Sequence, residues 1–268
     1  MESVDSINNK NYSNFIILHS SNRGIVCQAS DENNTKVILK NFVKSYSMNT
    51  FMEDPETNQF LPKEYIYLNK LSGNDYVPKV LNYHDGKHWS TIVIEFLDGD
   101  WMDLFYYTEL ANDEISIRVI MKRVINIMYE MSMNGFYHRD IKPENIMVNK
   151  MTLEVKLIDL EDVFYSKEQD PVALSLSGTM GYRSPESFIN TPSKLKPNLV
   201  FNIGCTLYSC LELDMAFETQ RETILCRPLK MPNCSKSAAN FISSCVKRIP
   251  NDRISFDLLL NHEWFISD

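Results

Sequence analysis

An α+β fold built as two lobes is predicted for this chain, because its texture changes close to residue 97. Before that point, short runs rich in β-branched and aromatic residues are separated by turn residues. Beyond it, apolar residues recur every three or four positions over long stretches. In the front part Phe15–Leu18, Gly24–Ala29, Val37–Lys40 and Thr91–Glu95 read as strands. One helix interrupts them: Pro62 suits a first helical turn, where no N–H is needed, and Tyr65, Leu68 and Leu71 follow at helical spacing. Behind the Asp98-Gly99-Asp100 turn, Ile115–Met133 reads as a long helix, with Val200–Leu213 and Ala238–Ile249 as further ones. The expected division is a β-rich lobe with one main helix over 1–96, a joint at 97–100 and a mostly helical lobe over 101–268, with a cleft between the lobes. The first ten residues, polar and rich in Asn and Ser, are expected to be loosely held.

The 268 residues are 44% apolar, enough for sizeable cores. A net charge of −8 argues against a general nucleic-acid surface and is compatible with an acidic site for basic partners. The six cysteines show neither a C-x-x-C pair nor metal spacing, and no secretory signal precedes them. They read as reduced thiols of a cytoplasmic or nuclear protein. No apolar run approaches the length of a bilayer span, so no membrane association is expected. No separate regulatory domain is expected either, and the sequence leaves the oligomeric state open.

The densest chemistry lies in His138-Arg139-Asp140-Ile141-Lys142-Pro143-Glu144-Asn145, where a candidate base, a cation and a metal-ligating amide fall within eight residues. This stretch resembles the H-R-D-x-K-x-x-N catalytic loop of eukaryotic-type protein kinases, in its serine/threonine version. Other segments resemble the same family in the same order. Val37-Ile38-Leu39-Lys40 is similar to V-A-I-K. Asp159-Leu160-Glu161, after the strand pair Ile146–Val148 and Val155–Ile158, stands where D-F-G belongs, and Gly178–Glu186 resembles G-T-x-x-Y-x-[AS]-P-E. The resemblance runs from about residue 15 to 266. It is strongest to the Pim branch of the calcium/calmodulin-dependent kinase group, through Asp103-Leu104-Phe105, Ala216-Phe217-Glu218 and Asn251-Asp252-Arg253 on to Asn261–Trp264. In its compact size the chain is also similar to kinases of large DNA viruses, such as the small baculovirus kinase.

The resemblance implies a single protein kinase domain over 1–268 that uses ATP and magnesium, with manganese as an alternative ion. Phosphoryl transfer asks a protein mainly to hold the triphosphate, neutralise its charge and align the acceptor hydroxyl. Asp140 would orient that hydroxyl and take its proton, Lys142 would lie against the transferring phosphate, and Asn145 and Asp159 would ligate the metal. Lys40 would hold the α- and β-phosphates with Glu64 as its partner. Val26, Ile38 and Met147 would enclose the adenine behind the gatekeeper Ile94, and the backbone of Glu95 and Leu97 would meet its edge. Thr179 would hydrogen-bond near Asp140 and Lys142, and Glu186 would pair with Arg253 as a structural ion pair. Arg139 marks kinases whose activation segment is ordered by phosphorylation, for which Ser166, Ser175, Ser177 and Thr179 supply hydroxyls. Asp103 and Glu144 would receive arginines of a basic protein substrate.

Several positions depart from the family pattern. His19 and Ser21 replace the first two glycines of the phosphate loop and leave only Gly24. Ile38 replaces a small residue and should narrow the nucleotide slot. Glu161 replaces a glycine, either adding charge near the metal or, on the simpler expectation, lying on a stiffer loop that faces solvent. Leu199 replaces the aspartate that in the family braces the catalytic loop from beneath, so that support must come from elsewhere or be weaker. These losses motivate an alternative, a pseudokinase acting as scaffold or decoy. A small-molecule phosphotransferase is a third reading, opposed by the intact Gly178–Glu186 segment.

Overall fold

The computed structural model describes residues 11–46, 50–111, 113–169, 171–173, 177–189 and 192–266. The first ten residues and Ser175, both singled out in the sequence, lie outside them. The chain forms two compact units, one running up to Gly99 and including Asp159–Glu161, the other comprising Asp100–Ile158 and Asp162 onward. Asp159–Glu161 thus packs with the first unit, although by chain position it was assigned to the second lobe over 101–268.

The first unit is a five-stranded antiparallel sheet in the order β1-β2-β3-β7-β6 with a helix and a small hairpin. β1 (Ser13–Ser21), β2 (Gly24–Ser30) and β3 (Lys36–Val43) follow one another through tight turns. β4 (Phe51–Glu53) pairs with β5 (Phe60–Pro62), and α1 (Lys63–Lys70) begins directly after Pro62, whose φ of −56° and ψ of 132° place it just outside the helix. β6 (Val80–Asp85) and β7 (Trp89–Glu95) complete the sheet. β6, not among the strands expected from the sequence, stands at the sheet edge with its residues half-buried or exposed. On one sheet face Cys27, Ala29, Val37, Leu39 and Val93 form a buried cluster, against which Tyr12 and Phe15 pack. Alternation puts Val26, Ile38, Lys40 and Ile94 on the opposite face, since Val26 pairs with Lys40 and Ile38 with Ile94.

In the second unit β8 (Trp101–Asp103) leads into α2 (Leu104–Ala111) and then α3 (Glu114–Met133). α3 starts where the Asp113 carboxylate accepts the N–H groups of Ile115 at 3.0 Å and Ser116 at 3.2 Å, which satisfies two orphan donors. Ile117, Ile120, Met121, Val124, Ile125, Met128 and Met131 form its buried stripe. Each fully buried side chain of this size contributes roughly 1.5–3 kcal/mol, so the stripe is what anchors the helix. β9 (Phe136–Tyr137) follows, then β10 (Ile146–Asn149), which pairs with both β8 and β11 (Val155–Leu157). β12 (Phe164–Tyr165) pairs with β9, and β13 (Val172–Ala173) with β14 (Ser193–Lys194).

α4 (Leu195–Glu212) is buried on nearly every side and begins five residues before the expected Val200. Pro197 disguised that start, yet a first-turn proline costs no hydrogen bond. After α5 (Gln220–Leu225), α6 (Lys236–Cys245) ends four residues before the expected Ile249. The carbonyls of Lys247 and Arg248 turn instead to the guanidinium of Arg253. α7 (Glu263–Ile266) packs Trp264, which is fully buried, against Phe241. Among the described residues no helix is long and apolar enough to cross a membrane, and the six cysteines are free thiols.

Candidate active site

In the first unit, Lys40 on β3 donates to Glu64 Oε1 at 2.6 Å, with 13% of the lysine side chain and 2% of the glutamate exposed. Burial alone would lower the Lys40 pKa, but the carboxylates of Glu64, Asp159 and Glu161 outweigh it and raise it, so the ammonium is held charged. Carboxylate oxygens of Glu64, Asp159 and Glu161 lie within 4.8 Å of one another. A cavity of about 410 Å³ opens onto this group, lined by His19, Ser21, Arg23, Lys40, Asp159 and Glu161. Two cations beside several oxygen donors fit a polyphosphate with a hard divalent ion, which prefers carboxylate oxygens.

Glu161 does not face solvent, contrary to the simpler expectation. Its side chain is 24% exposed and lies 3.8 Å from the Arg23 guanidinium. Burial, then the neighbouring charges of Asp159 and Glu64, push its pKa up to about 7. Arg23 had no signal in the sequence, since a basic residue in a turn is ordinary; only the return of the hairpin places it at the cavity. Gly24, the surviving glycine of the loop, is kept by packing: a Cβ there would lie 1.8 Å from the Asn41 carbonyl oxygen. The other expected nucleotide contacts of this unit, Val26, Ile38, Glu95 and Leu97, are half-buried, and Ile94 is buried. Glu95 is tied into the sheet, its N–H donating to the Lys79 carbonyl at 3.0 Å and its carboxylate accepting the Lys79 N–H at 3.1 Å.

In the second unit the loop His138–Asn145 converges on the Asp140 carboxylate. Oδ1 accepts the Thr179 N–H at 2.7 Å; Oδ2 accepts the Thr179 hydroxyl at 3.1 Å and Asn145 Nδ2 at 3.0 Å. Lys142 Nζ donates to Thr179 Oγ1 at 2.7 Å and lies 3.3 Å from Asp140 Oδ2. These donors hold the Asp140 carboxylate in one orientation, and they leave Asn145 Oδ1 as the oxygen a cation would meet. The loop is pinned from outside as well. His138 Nε2 contacts the Ile158 carbonyl at 3.2 Å, and Arg139, in the left-handed region at φ 65°, donates from Nε to the Asp162 carbonyl at 2.7 Å. Gly178, at φ +102°, brings Thr179 close, since a Cβ there would lie 2.8 Å from the Arg139 carbonyl oxygen.

Of the remaining residues singled out, Met147 is half-buried on β10. Glu144 is exposed, whereas Asp103 is half-buried and its Oδ1 caps α2 through the Tyr106 N–H at 2.9 Å. Glu186 and Arg253 form a two-pronged ion pair at 2.7 Å for both contacts. The Ser177 hydroxyl donates to Asp162, and Ser166 Oγ accepts the Glu168 N–H.

Several known proteins align with this chain. Serine/threonine-protein kinase pim-2 of Danio rerio is 32% identical over 166 residues, 61% of this chain and 53% of that protein. The PAS domain-containing serine/threonine-protein kinase of Mus musculus is 25% identical over 94% of this chain and 18% of its own length. Serine/threonine-protein kinase 1 of African swine fever virus, strain Badajoz 1971 Vero-adapted, is 28% identical over 75% of this chain and 67% of that protein. The chain thus spans about half of the first relative and under a fifth of the second. The protein kinase domain profile matches residues 19–265, nearly the whole chain, and with the Lys40–Glu64 pair and the Asp140 loop in place the chain belongs to the protein kinase domain family.

Proposed function

We propose that this protein is an active serine/threonine protein kinase, transferring the γ-phosphate of ATP to side-chain hydroxyls of other proteins. The observation that carries the reading is the Lys142–Thr179–Asp140–Asn145 network, which holds a carboxylate in fixed orientation with a cation beside it. Asp140 orients the acceptor hydroxyl and takes its proton as the O–P bond forms. Lys142 offsets charge on the transferring phosphoryl group. Lys40, held by Glu64, neutralises the α- and β-phosphates, and Arg23 adds a second cation at the same cavity. Asp159 on the first unit and Asn145 on the second would each offer an oxygen to magnesium or manganese, an ion that would neutralise phosphate charge. Val26, Ile38 and the backbone of Glu95 and Leu97 are the proposed adenine contacts on the first unit, and Met147 is the candidate on the second.

The protein substrate is a basic one, received by the exposed Glu144 under the chain's net charge of −8. Asp103 contributes less, because its carboxylate already caps a helix. The place of action is the cytoplasm or nucleus. The test is transfer of radiolabelled phosphate from ATP to protamine or histone, comparing wild type with Asp140→Asn. Label that depends on Asp140 supports an enzyme; equal background in both leaves the scaffold or decoy reading. Indifference of an arginine-scanned peptide array to upstream arginine would remove the basic-substrate part alone.

A further inference from the structure

We propose that Thr206 is a positioning residue for the catalytic loop. Three successive carbonyls of the loop need partners. The Asp140 carbonyl accepts Asn145 Nδ2 at 2.9 Å and the Lys142 carbonyl accepts the Asn145 N–H at 3.0 Å, so both are satisfied from within the loop. The Ile141 carbonyl, between them, is reached by the Thr206 hydroxyl at 3.0 Å. Ile141 and Thr206 are each 0% exposed, so water cannot substitute. Thr206 lies mid-way along α4, and its donation fixes the Ile141–Lys142 peptide plane, from which the Lys142 side chain departs toward Thr179.

The hydroxyl carries one proton and has two acceptors in reach, the other being the Asn202 carbonyl at 2.8 Å. That second contact is the usual resting place of a helical threonine, on a carbonyl that the helix's own N–H ladder also uses. Among the described residues, the Ile141 carbonyl has Thr206 as its donor. One turn earlier, Asn202 Nδ2 donates to the Tyr182 carbonyl at 2.5 Å. One face of α4 therefore holds the catalytic loop and the Gly178–Glu186 segment together. Position 199 is filled by a leucine, 1% exposed, that has no polar group to offer.

The inference rests on the kinase reading of Asp140, and its test separates the two. Thr206→Val keeps the shape and removes the hydroxyl; Thr206→Ser keeps the hydroxyl. In Thr206→Val we expect kcat to fall about tenfold with the KM for ATP changed less than about twofold, the mark of a group aligned for transfer rather than for binding. Thr206→Ser should return kcat to within about twofold of wild type. Hydrogen exchange of the amides in 138–145 should quicken in the valine variant and not in the serine one. With an active wild type, an unmoved kcat, unmoved exchange, or a serine variant as impaired as the valine one overturns the proposal. If wild type and Asp140→Asn transfer equally little, the kinase reading has failed and the exchange comparison alone decides the brace.

Discussion

Removing Arg253 should cost the second unit far more than neutralising its partner. The Arg253 side chain is 0% exposed and gives Glu186 two hydrogen bonds of 2.7 Å. It also donates to the carbonyls of Pro197 and Lys247, each at 2.9 Å, and its guanidinium lies 4.9 Å from the Phe201 ring centroid. In Arg253→Met the volume is roughly kept, but Glu186 becomes a buried carboxylate without its cation and the carbonyls of Pro197, Lys247 and Arg248 lose this donor. Breaking a buried pair from one side costs about 3–5 kcal/mol. In Glu186→Gln the guanidinium keeps its carbonyl acceptors and an amide oxygen, so the expected loss is about 1–2 kcal/mol. Adding Glu186→Gln to Arg253→Met should then recover about 2 kcal/mol, because an uncompensated charge is removed. Urea unfolding of the four proteins by tryptophan fluorescence gives the cycle. Equal losses for the two single variants, or a double variant less stable than Arg253→Met, would refute this account of the pair.

Gly24→Ala should sharply destabilise the first unit, since its Cβ meets a backbone carbonyl that cannot step aside, whereas His19→Gly with Ser21→Gly should leave the melting temperature within a few degrees and tighten ATP binding by calorimetry. A loop whose glycines matter only for phosphate would give the reverse pattern. Glu161 binds its proton more tightly folded, with a pKa near 7, than unfolded. Its contribution is therefore fully present below the unfolded pKa near 4.5 and is lost as pH rises toward 7, by about 1–3 kcal/mol allowing for partial solvent access. Glu161→Gln should flatten that part of the stability profile of the nucleotide-free protein; an unchanged profile would contradict the buried position. Burial pushes the thiols of Cys205, Cys210 and Cys245 up, so iodoacetamide at neutral pH should leave them unmodified until the protein is unfolded.

What could be read from the chain alone was whatever local order encodes. The long helix α3 announces itself through its apolar stripe, and the strands β1, β2, β3 and β7 through β-branched runs. The loop His138–Asn145 carries its chemistry in eight consecutive letters. Short or marginal features escaped notice: β6 at a sheet edge, α2 and α5 as short helices, and the true ends of α4 and α6, which depend on a first-turn proline and on carbonyls claimed by Arg253. The pairs Lys40–Glu64 and Glu186–Arg253 lie 24 and 67 residues apart, so sequence order could suggest them while only folding brings them to 2.6 and 2.7 Å.

The departures from the family pattern divide in the same way. The sequence shows which letters changed at 19, 21, 161 and 199, but not where a replacement side chain goes or what takes over a lost contact. Glu161 turns inward because Lys40 and Arg23 stand beside it. The Ile141 carbonyl of the catalytic loop is met by Thr206 on α4, because a buried carbonyl takes whatever donor the packed helix presents. Sequence determined the inventory of groups and the local elements that carry them. Tertiary structure decided which groups meet, since hydrogen bonds and charges act over a few ångströms of space, however many residues of chain lie between.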